Sequence, residues 1–363
     1  MDIAYKLGAG RYIQMPGAVE VIGEETARYG KQIYVLGGPT AISILQDTLK
    51  SQYDLQSLKY DIEVYNGYTS WNAARTYAGR AEEKNADVIV GVGGGRIMDL
   101  AKASAHIAGL PVVLIPTCSA TCAAYTPMSV MYEDDGRALG TAGGNFYHDY
   151  EVSAVIIDED IMVHQPPRYA AAGMLDSMAK CIEMCNGHPQ VKADSMNFEL
   201  YTAYTLSEYI YKILKKNYST IYHDIENHIL SKEVHDYLYI NFALTGFISG
   251  SSKALGQTAL AHEMYYAVRK FFTKEAAGFL HGEIVGMALL LQLVYNRQED
   301  LTDEFSDFMK ATGMPTSLEE IGICGNEKTP ELIYRYLLET EFVTDTQDNR
   351  EYLKLAIQKI CRR

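Results

Sequence analysis

The first half of the chain alternates short apolar runs, rich in Val and Ile, with runs of helical spacing. The apolar runs indicate strands KQIYVLGG (31–38), DIEVYNG (61–67), ADVIVGVGGG (86–95) and LPVVLIPT (110–117). The segments between them indicate helices over 39–51, 71–85 and 96–109. Strands connected by helices form a parallel sheet that is covered on both faces. We therefore predict an α/β domain with a Rossmann-like parallel sheet over residues 1–163, with further strands at EVSAVIID (151–158) and, entering a hairpin, at MSVMYEDDG (128–136).

The pattern changes after QPPRY (165–169), where long helical runs replace the strands. These runs are AAAGMLDSMAKCIEM, DSMNFELYTAYTLSEYIYKIL and KEVHDYLYINFALTGFISGSS. The consecutive residues Pro166 and Pro167 make a natural boundary. A chain of 363 residues also exceeds one ordinary hydrophobic core. We therefore predict a helical domain over residues 164–363, and a fold of the α/β plus all-α class.

Charge and hydropathy exclude several classes of protein. The formal net charge of -14 disfavours a general nucleic-acid binder, which needs clustered Lys and Arg. No run of about 18 apolar residues appears, so we expect no transmembrane helix and no membrane partner. The N-terminal segment lacks the basic region and apolar run of a signal peptide, so we expect a cytoplasmic protein with reduced thiols.

The cysteines include two C-x3-C pairs, Cys118 with Cys122 and Cys181 with Cys185. Four such residues could hold a structural zinc ion, although zinc motifs commonly use a C-x2-C spacing. On a helix, a spacing of four residues simply places two side chains on one face. Burial as small apolar residues is the simpler interpretation.

The segment VGVGGGRIMDLAK (90–102) connects a predicted buried strand to a helix. Gly93, Gly94 and Gly95 would let backbone N–H groups approach a phosphate without interference from a Cβ atom. The start of the following helix would direct its positive end at the same anion. A tight turn without a ligand is the alternative interpretation. Asp99 and Lys102, one turn further on, favour pyrophosphate binding, with Asp99 holding either the loop or groups on the nicotinamide side and Lys102 fixing the helix by pairing.

Three residues of the helical half are candidate ligands of one metal ion: Asp176, His262 and His281. One carboxylate with two imidazoles leaves a fourth position open, which suits a catalytic Zn²⁺ ion. The alternatives are an ordinary ion pair between Asp176 and Lys180 on a helix surface, and core histidines that only form hydrogen bonds. The spacing alone does not decide between these interpretations.

Taken together, these motifs resemble those of the iron-containing alcohol dehydrogenase superfamily, in its glycerol dehydrogenase branch. The resemblance rests on GVGGGRIMDLAK, LPVVLIPTCSATCAAYTPMSVMYEDDG, AAAGMLDSMAK, AHEMYYAV and FLHGEIVG, which occur here in the order of that family. Each motif is weak alone, but the set is highly specific and spans nearly the whole chain.

The resemblance implies a dehydroquinate synthase-like fold, with a cleft between the sheet domain and the helical domain that holds cofactor and metal. It implies that the dinucleotide binds to Gly93, Gly94, Gly95 and Asp99, and that the nicotinamide and ribose side is lined by Thr117, Thr121, Thr126, Met128 and Tyr132. It also implies that Asp176, His262 and His281 are the metal ligands and take part in catalysis.

Two departures from the family pattern bear on the metal and the substrate. Iron-using branches have a further His one turn after the metal-binding Asp; Lys180 occupies that position here, which favours Zn²⁺, although another divalent ion is possible. Glycerol dehydrogenases have an Asp where this chain has Cys122, the residue expected to meet the substrate. Loss of that carboxylate lowers the penalty for a negatively charged substrate. The surrounding segment most resembles the hydroxycarboxylate dehydrogenase subgroup.

A third departure concerns the cofactor. Members of the family that are strict for NAD carry an acid after the first Rossmann strand, where it accepts a hydrogen bond from the ribose 2′-hydroxyl. Gly38 takes this place in VLGGPTA. Since no negative charge there would repel a 2′-phosphate, we expect either NAD or NADP as the cofactor.

These features predict a metal-dependent NAD(P)-linked oxidoreductase that transfers hydride between the nicotinamide and a small alcohol, 2-hydroxy acid or 2-oxoacid. We expect a small-molecule substrate and a homo-oligomer. Glycerol dehydrogenase proper, a dehydroquinate-synthase-like lyase and a non-catalytic descendant are the alternatives. A 2-oxoacid needs a cationic partner for its carboxylate, for which Lys253, Arg269 and Lys274 are candidates.

Overall fold

The protein is built around a six-stranded parallel sheet in its first half. The computed structural model describes residues 6–191, 196–252, 256–323 and 328–361. In spatial order the sheet is β1-β8-β5-β4-β2-β3. Its strands are β1 Tyr12–Met15, β2 Gln32–Gly37, β3 Lys59–Val64, β4 Val88–Gly93, β5 Val112–Pro116 and β8 Ala154–Asp158. A separate antiparallel pair consists of β6 Met128–Val130 and β7 Asn145–Tyr147.

The order in which the chain adds strands to the sheet changes direction between β2 and β4, although the strands stay parallel. From β2 the chain passes to the edge strand β3 and then returns to β4 on the other side of β2. The carboxyl ends of β2 and β4 are therefore adjacent, and the N–H of Gly38 donates to the carbonyl of Val92 across 3.0 Å. In open α/β sheets, ligands bind in the crevice that forms at such a reversal.

Helices cover both faces of this sheet, as predicted. They are α1 Ile22–Ala27, α2 Pro39–Leu55, α3 Trp71–Glu83 and α4 Gly95–Ala108, followed by the short helices α5 Thr141–Gly144 and α6 Glu159–Met162. Residues of α1 and α2 join one hydrophobic cluster with the sheet, and residues of α3 and α4 join another. The predicted α/β architecture is thus confirmed.

Helices make up nearly all regular structure after residue 163. They are α7 Pro167–Met184, α8 Phe198–Glu226, α9 Lys232–Tyr239, a π-helical turn Ile240–Leu244, α10 Thr245–Ser251, α11 Leu260–Phe271, α12 His281–Tyr295, α13 Thr302–Ala311, α14 Thr329–Leu338 and α15 Gln347–Cys361. Every residue of α12 after the first is buried, so this helix is the centre of the bundle. It packs against α7, α11 and α15.

Two details of the predicted elements differ from the structure. The strand predicted at 128–136 is shortened to β6, which pairs with β7, and the hairpin predicted at EDDG is reduced to a single antiparallel bridge between Tyr132 and Ala138. The edge strand β1 was not predicted, because it is only four residues long and partly exposed. The division into domains at residues 163 and 164 stays a prediction. Among the described residues, no helix is both long enough and apolar enough to cross a membrane.

Candidate active site

A cleft of about 690 Å³ lies at the carboxyl ends of the sheet strands and extends to the helical half. It brings together the residues that the sequence motifs single out. From the sheet half it is lined by Gly38, Gly93, Gly94, Gly95, Asp99, Thr117, Thr121, Cys122, Thr126, Met128 and Tyr132. From the helical half it is lined by Asp176, His262 and His281. What these residues bind stays a prediction, but their placement in one cleft is a property of the fold.

The glycine loop forms the turn between β4 and α4. Gly93 has a φ of 152°, in a region that other residues rarely adopt. A Cβ atom at Gly94 would lie 3.3 Å from the Sγ atom of Cys118, so a side chain would crowd the turn. Gly94 is the N-cap of α4 and no side chain caps this helix. Its first N–H groups therefore remain open to an anion in the cleft.

Asp99 and Lys102 attach α4 to the segment that follows β5. The ammonium of Lys102 lies 2.9 Å from Oδ1 of Asp99 and donates to the carbonyls of Ala123 and Thr126 at 2.7 and 3.0 Å. It also donates to the carbonyl of Met128. Burial raises the pKa of Asp99, and the positive charge of Lys102 opposes this increase. Lys102 thus fixes the helix and the loop by pairing, in the structural role expected from the sequence.

The segment between β5 and β6 is held from the helical half. Tyr237 donates from its hydroxyl to the carbonyl of Ser119 at 3.0 Å. The side-chain amide of Asn241, in the π-helical turn, donates to the carbonyl of Thr121 at 3.3 Å. Within the segment, the hydroxyl of Thr126 donates to the carbonyl of Cys122 at 2.9 Å. The predicted cofactor-lining threonines are therefore on a fixed loop.

The three candidate metal ligands come from three helices, α7, α11 and α12. One ligand atom from each of Asp176, His262 and His281 lies within 4.8 Å of the others. Oδ1 of Asp176 is 3.5 Å from Nε2 of both histidines. This oxygen is buried and has no hydrogen-bond partner. A buried carboxylate oxygen without a donor is costly, whereas a cation between the three atoms would satisfy it.

Glu183, which the sequence analysis did not single out, fixes the orientation of His262. Its Oε2 atom is 2.5 Å from Nδ1 of His262, and its Oε1 atom accepts the backbone N–H groups of Ala259 and His262 at 2.7 and 3.0 Å. A carboxylate accepts hydrogen bonds, so Nδ1 carries a proton, and the lone pair of Nε2 is available to a metal ion whenever the ring is neutral. Metal-binding histidines usually have such a carboxylate partner. The signal was the spacing, since Glu183 is seven residues after Asp176 on α7.

The charges in this site are strongly coupled. Burial by itself would raise the pKa of Asp176, but the charge of Lys180 and the two histidines hold that pKa well below its usual value. Burial lowers the pKa of His262, yet the Glu183 charge outweighs this effect and the net pKa is raised. For His281, burial dominates and the pKa is lowered. An ionised carboxylate facing two imidazole nitrogens is a donor set that suits Zn²⁺.

His281 is positioned by the start of α12. The carboxylate of Glu283 accepts the N–H of Leu280, the N-cap residue, at 2.8 Å. Arg168 forms two hydrogen bonds to Glu283, at 2.5 and 2.6 Å. The ring of Tyr265 packs edge-on against His281, with ring centroids 4.3 Å apart. The sequence analysis predicted none of these contacts around His281, because they depend on how the helices pack.

The structure also places the other residues that were weighed from the sequence. Arg269 lines the cleft, but its guanidinium donates to the carbonyls of Ala276 and Gly136. Lys274 is exposed and is not among the lining residues, and Lys253 lies outside the described residues. Over the described ranges, no second cluster of potential metal ligands forms, so the C-x3-C pairs do not build a zinc site there.

The chain is similar to known dehydrogenases over most of its length. Residues 9–155 match the family model described as iron-containing alcohol dehydrogenase. A glycerol dehydrogenase of Thermotoga maritima is 28% identical over 320 residues, covering 87% of this chain and 84% of the relative. Hydroxycarboxylate dehydrogenase A of Escherichia coli is 26% identical over 321 residues, covering 87% of this chain and 85% of the relative.

A solved structure has the same fold. The crystal structure of a probable glycerol dehydrogenase from Sinorhizobium meliloti superposes with a TM-score of 0.81 at 22% identity, and the match covers 98% of this chain and 97% of that one. The fold predicted from the motifs, a Rossmann-like sheet domain with a helical domain, is confirmed by this likeness. The family resemblance is supported as well, since residues 9–155 match the model of the iron-containing alcohol dehydrogenases and the relatives are a glycerol dehydrogenase and a hydroxycarboxylate dehydrogenase.

Proposed function

We propose that the protein is a metal-dependent, NAD(P)-linked oxidoreductase that acts on a small alcohol or 2-hydroxy acid, and in reverse on the corresponding carbonyl compound. One observation carries this proposal. The cluster of Asp176, His262 and His281 and the glycine loop before α4 line the same cleft. A cation site and a phosphate cradle that face one another are what hydride transfer to a nicotinamide requires.

We infer that the ion is Zn²⁺. Asp176, His262 and His281 would hold it, and it would supply the polarisation of the substrate oxygen that hydride transfer needs. Glu183 keeps the proton on Nδ1 of His262. Lys180, in the position where a further His would favour iron, offers a charged ammonium instead of a ligand. Elemental analysis of the purified protein tests the identity of the metal.

The remaining residues of the cleft bind and orient the reactants. The open N–H groups at the start of α4 would take the pyrophosphate, and the loop held by Lys102 would take the nicotinamide and ribose. The hydroxyls of Tyr132 and Tyr265, 2.6 Å apart, connect the nicotinamide side of the cleft to the ring of His281. These polar contacts along the cleft would hold the reacting atoms in a fixed geometry.

The cofactor preference depends on Gly38. This residue directly follows β2, is the N-cap of α2 and lines the cleft, where an acid would repel a 2′-phosphate. A Cβ atom at Gly38 would meet only Cγ1 of Ile97, at 3.6 Å, so a larger residue fits. We expect wild-type protein to use NADP as well as NAD, and Gly38→Asp to lower kcat/KM for NADP by at least about 10-fold while NAD is retained. Equal loss with both cofactors would contradict this role.

The function is tested with a substrate panel of glycerol, 1,2-diols, 2-hydroxy acids and 2-oxoacids, run with both cofactors and added Zn²⁺. Turnover is followed as net formation or loss of reduced nicotinamide, which a lyase that recycles its cofactor would not give. We expect His281→Ala to abolish turnover while the far-UV circular dichroism spectrum is retained. Full activity in that variant would overturn the proposal. The homo-oligomer and the cytoplasmic location remain predictions, the first checked by light scattering.

A further inference from the structure

One charged group in the cleft, Lys180, has no partner among the residues that the structure describes. Lys180 lies on α7, one turn after Asp176, and only 5% of its surface is exposed. It lines the cleft, yet the described residues provide no hydrogen bond or ion pair for its ammonium. A buried charge is normally paired, because moving an ion from water into a protein interior costs roughly several kcal/mol. The feature therefore points to a partner that enters the cleft.

Lys180 lines the cleft together with the candidate metal ligands, one helical turn after Asp176 on α7. Burial and the charge of Asp176 raise the pKa of the Cys122 thiol, whereas the positive charge of Lys180 lowers it. The same charge opposes the effect of burial on the pKa of Asp176. Lys180 therefore shares the lining of the cleft with Cys122 and Asp176, and its charge acts on both groups.

Of the other three arginine and lysine side chains that line the cleft, two have hydrogen-bond partners and the third, Arg96, is exposed. Arg168 is paired with Glu283 through two hydrogen bonds. Arg269 donates to two backbone carbonyls through its terminal nitrogens, and its guanidinium lies over the Tyr68 ring at 5.4 Å; its Nε atom is buried without a hydrogen-bond partner among the described residues. Arg96 is at the start of α4, near the glycine loop, and stacks over Tyr68 at 5.2 Å. Among the described lining residues, this leaves Lys180 available for the substrate.

We propose that Lys180 binds the carboxylate of a 2-hydroxy acid or 2-oxoacid whose neighbouring oxygen faces Asp176, His262 and His281. This inference rests on the proposed function and specifies its substrate class. A lysine ammonium is compact and offers three donors, so it forms charge-assisted hydrogen bonds with a carboxylate. The adjacency of Lys180 to the ligand cluster matches the adjacency of the carboxylate to C2 of such a substrate.

The carboxylate takes no part in the redox step. In the oxidative direction, the hydroxy acid loses a hydride from C2 to NAD(P)⁺ and a proton from its hydroxyl, which yields the 2-oxoacid, NAD(P)H and H⁺. Lys180 only holds the neighbouring carbon in place. The side chain of Lys180 therefore affects which substrate is preferred, because a neutral diol of the same length gains no binding energy from it.

Cys122 keeps this ammonium available. Because Cys122 and Lys180 line the same cleft, a carboxylate at position 122 would add a negative charge that competes with the substrate for Lys180 and repels an anionic substrate. The thiol is buried and its pKa is raised, first by burial, so it brings no negative charge at neutral pH. Lys180 and Cys122 together make the cleft selective for an acid over a polyol.

The test compares two substrates that differ only in the group that Lys180 would bind. Pyruvate carries a carboxylate where hydroxyacetone carries a hydroxymethyl group. For Lys180→Met, which keeps the length of the side chain, we expect the ratio of kcat/KM for pyruvate to that for hydroxyacetone to fall by about 10- to 100-fold, chiefly through KM. Oxamate, an unreactive analogue of pyruvate, should lose binding in calorimetry to the same degree. Lys274→Met, at an exposed lysine outside the cleft, is the matched control and should keep the wild-type ratio.

Cys122→Asp provides a second, independent variant if Lys180→Met does not fold. It should lower the same ratio, because the new carboxylate pairs with Lys180. If Lys180→Met lowers kcat/KM equally for both substrates, Lys180 only balances the charges of the ligand cluster, and the inference is overturned. If wild-type protein oxidises or reduces neither substrate class with either cofactor, the proposed function itself is wrong, and the inference with it.

Discussion

At the scale of single residues, Glu183 is the strongest support of the candidate metal site. It is almost fully buried and its contacts are all to α11, at Ala259 and His262. We expect Glu183→Gln to weaken Zn²⁺ binding by about 10- to 100-fold, because an amide donates as well as accepts and no longer fixes the tautomer of His262. Competition with a chromophoric chelator measures the affinity. Glu208→Gln, on α8 outside the cleft, is the control; equal weakening in both variants would show that Glu183 has no special role.

A second residue, His148, makes the stability depend on pH. Burial lowers the pKa of His148 to about 2, and the positive charge of Lys102 adds to this decrease. Between that value and the ordinary histidine pKa of about 6.5, the unfolded chain binds a proton that the folded protein does not. The contribution of His148 to stability is therefore present above pH 6.5, approximately, and is lost as the pH falls through this window.

We expect the free energy of unfolding to decrease between about pH 7 and pH 5, and less so in His148→Gln. The amide of Gln can replace Nε2 of His148, which lies 2.8 Å from the Ser129 hydroxyl. Urea titrations at the two pH values measure the difference. The exposed His188 provides a matched variant, His188→Gln, whose pH dependence should follow the wild type. A His148→Gln variant with the full wild-type decrease would contradict this account.

At the scale of elements, two glycines let α12 approach α7. A Cβ atom at Gly282 would lie 2.0 Å from the carbonyl oxygen of Ala172, and one at Gly286 would lie 2.4 Å from Cδ1 of Leu175. Because His281 precedes Gly282 and Asp176 follows Leu175, this close contact is what brings the two candidate ligands together.

Gly282→Ala should therefore separate α12 from α7. We expect a loss of about 1–3 kcal/mol of stability, as in other overpacked cores, and a reduced zinc content. Thermal unfolding and elemental analysis measure both. Gly79→Ala is the control, because nothing lies within 4 Å of a Cβ atom there and Ala is favoured inside a helix such as α3. A stable Gly282→Ala protein that holds a full complement of zinc would show that the contact is not needed.

The ends of the helices show how far the sequence could predict individual elements. Helix ends marked by chemistry were predicted closely: α4 ends before Gly109, whose φ is 66°, and α2 begins at Pro39. The end of α2 was missed, because Tyr53 continues its buried face without a stop signal. The partner of β6 could not be predicted, since a strand of three residues has too few side chains to specify its pairing.

For the site, local motifs named residues that line the cleft, but they could not identify the groups that act on those residues. Glu183 and Glu283 look like ordinary helical acids in the sequence. Their roles depend on the packing of α7 against α11, and of Arg168 against the start of α12. Lys180 was considered only as an ion-pair partner of Asp176 and as a departure from the family pattern, because its lack of a partner among the described residues depends on the three-dimensional structure.

At the scale of the whole molecule, the cleft joins two ligand sites that belong to different halves of the chain. The candidate metal ligands are on α7, α11 and α12, which share the core of the helical bundle. The glycine loop belongs to the parallel sheet. Each ligand should therefore stabilise the folded protein on its own, since binding to the native state alone shifts the unfolding equilibrium.

We expect Zn²⁺ at about 100 times its dissociation constant to add about 2.7 kcal/mol to the stability of the metal-free protein, seen as a rise in Tm of several degrees. In His281→Ala this rise should disappear, whereas the rise caused by NADP should remain, because the glycine loop is untouched. His281 is the best position for this comparison, since its side chain is 22% exposed and its truncation disturbs the core least. If the Zn²⁺ shift persists in His281→Ala, the ion binds elsewhere. If both shifts are lost, the two halves of the cleft form a single ligand-binding unit.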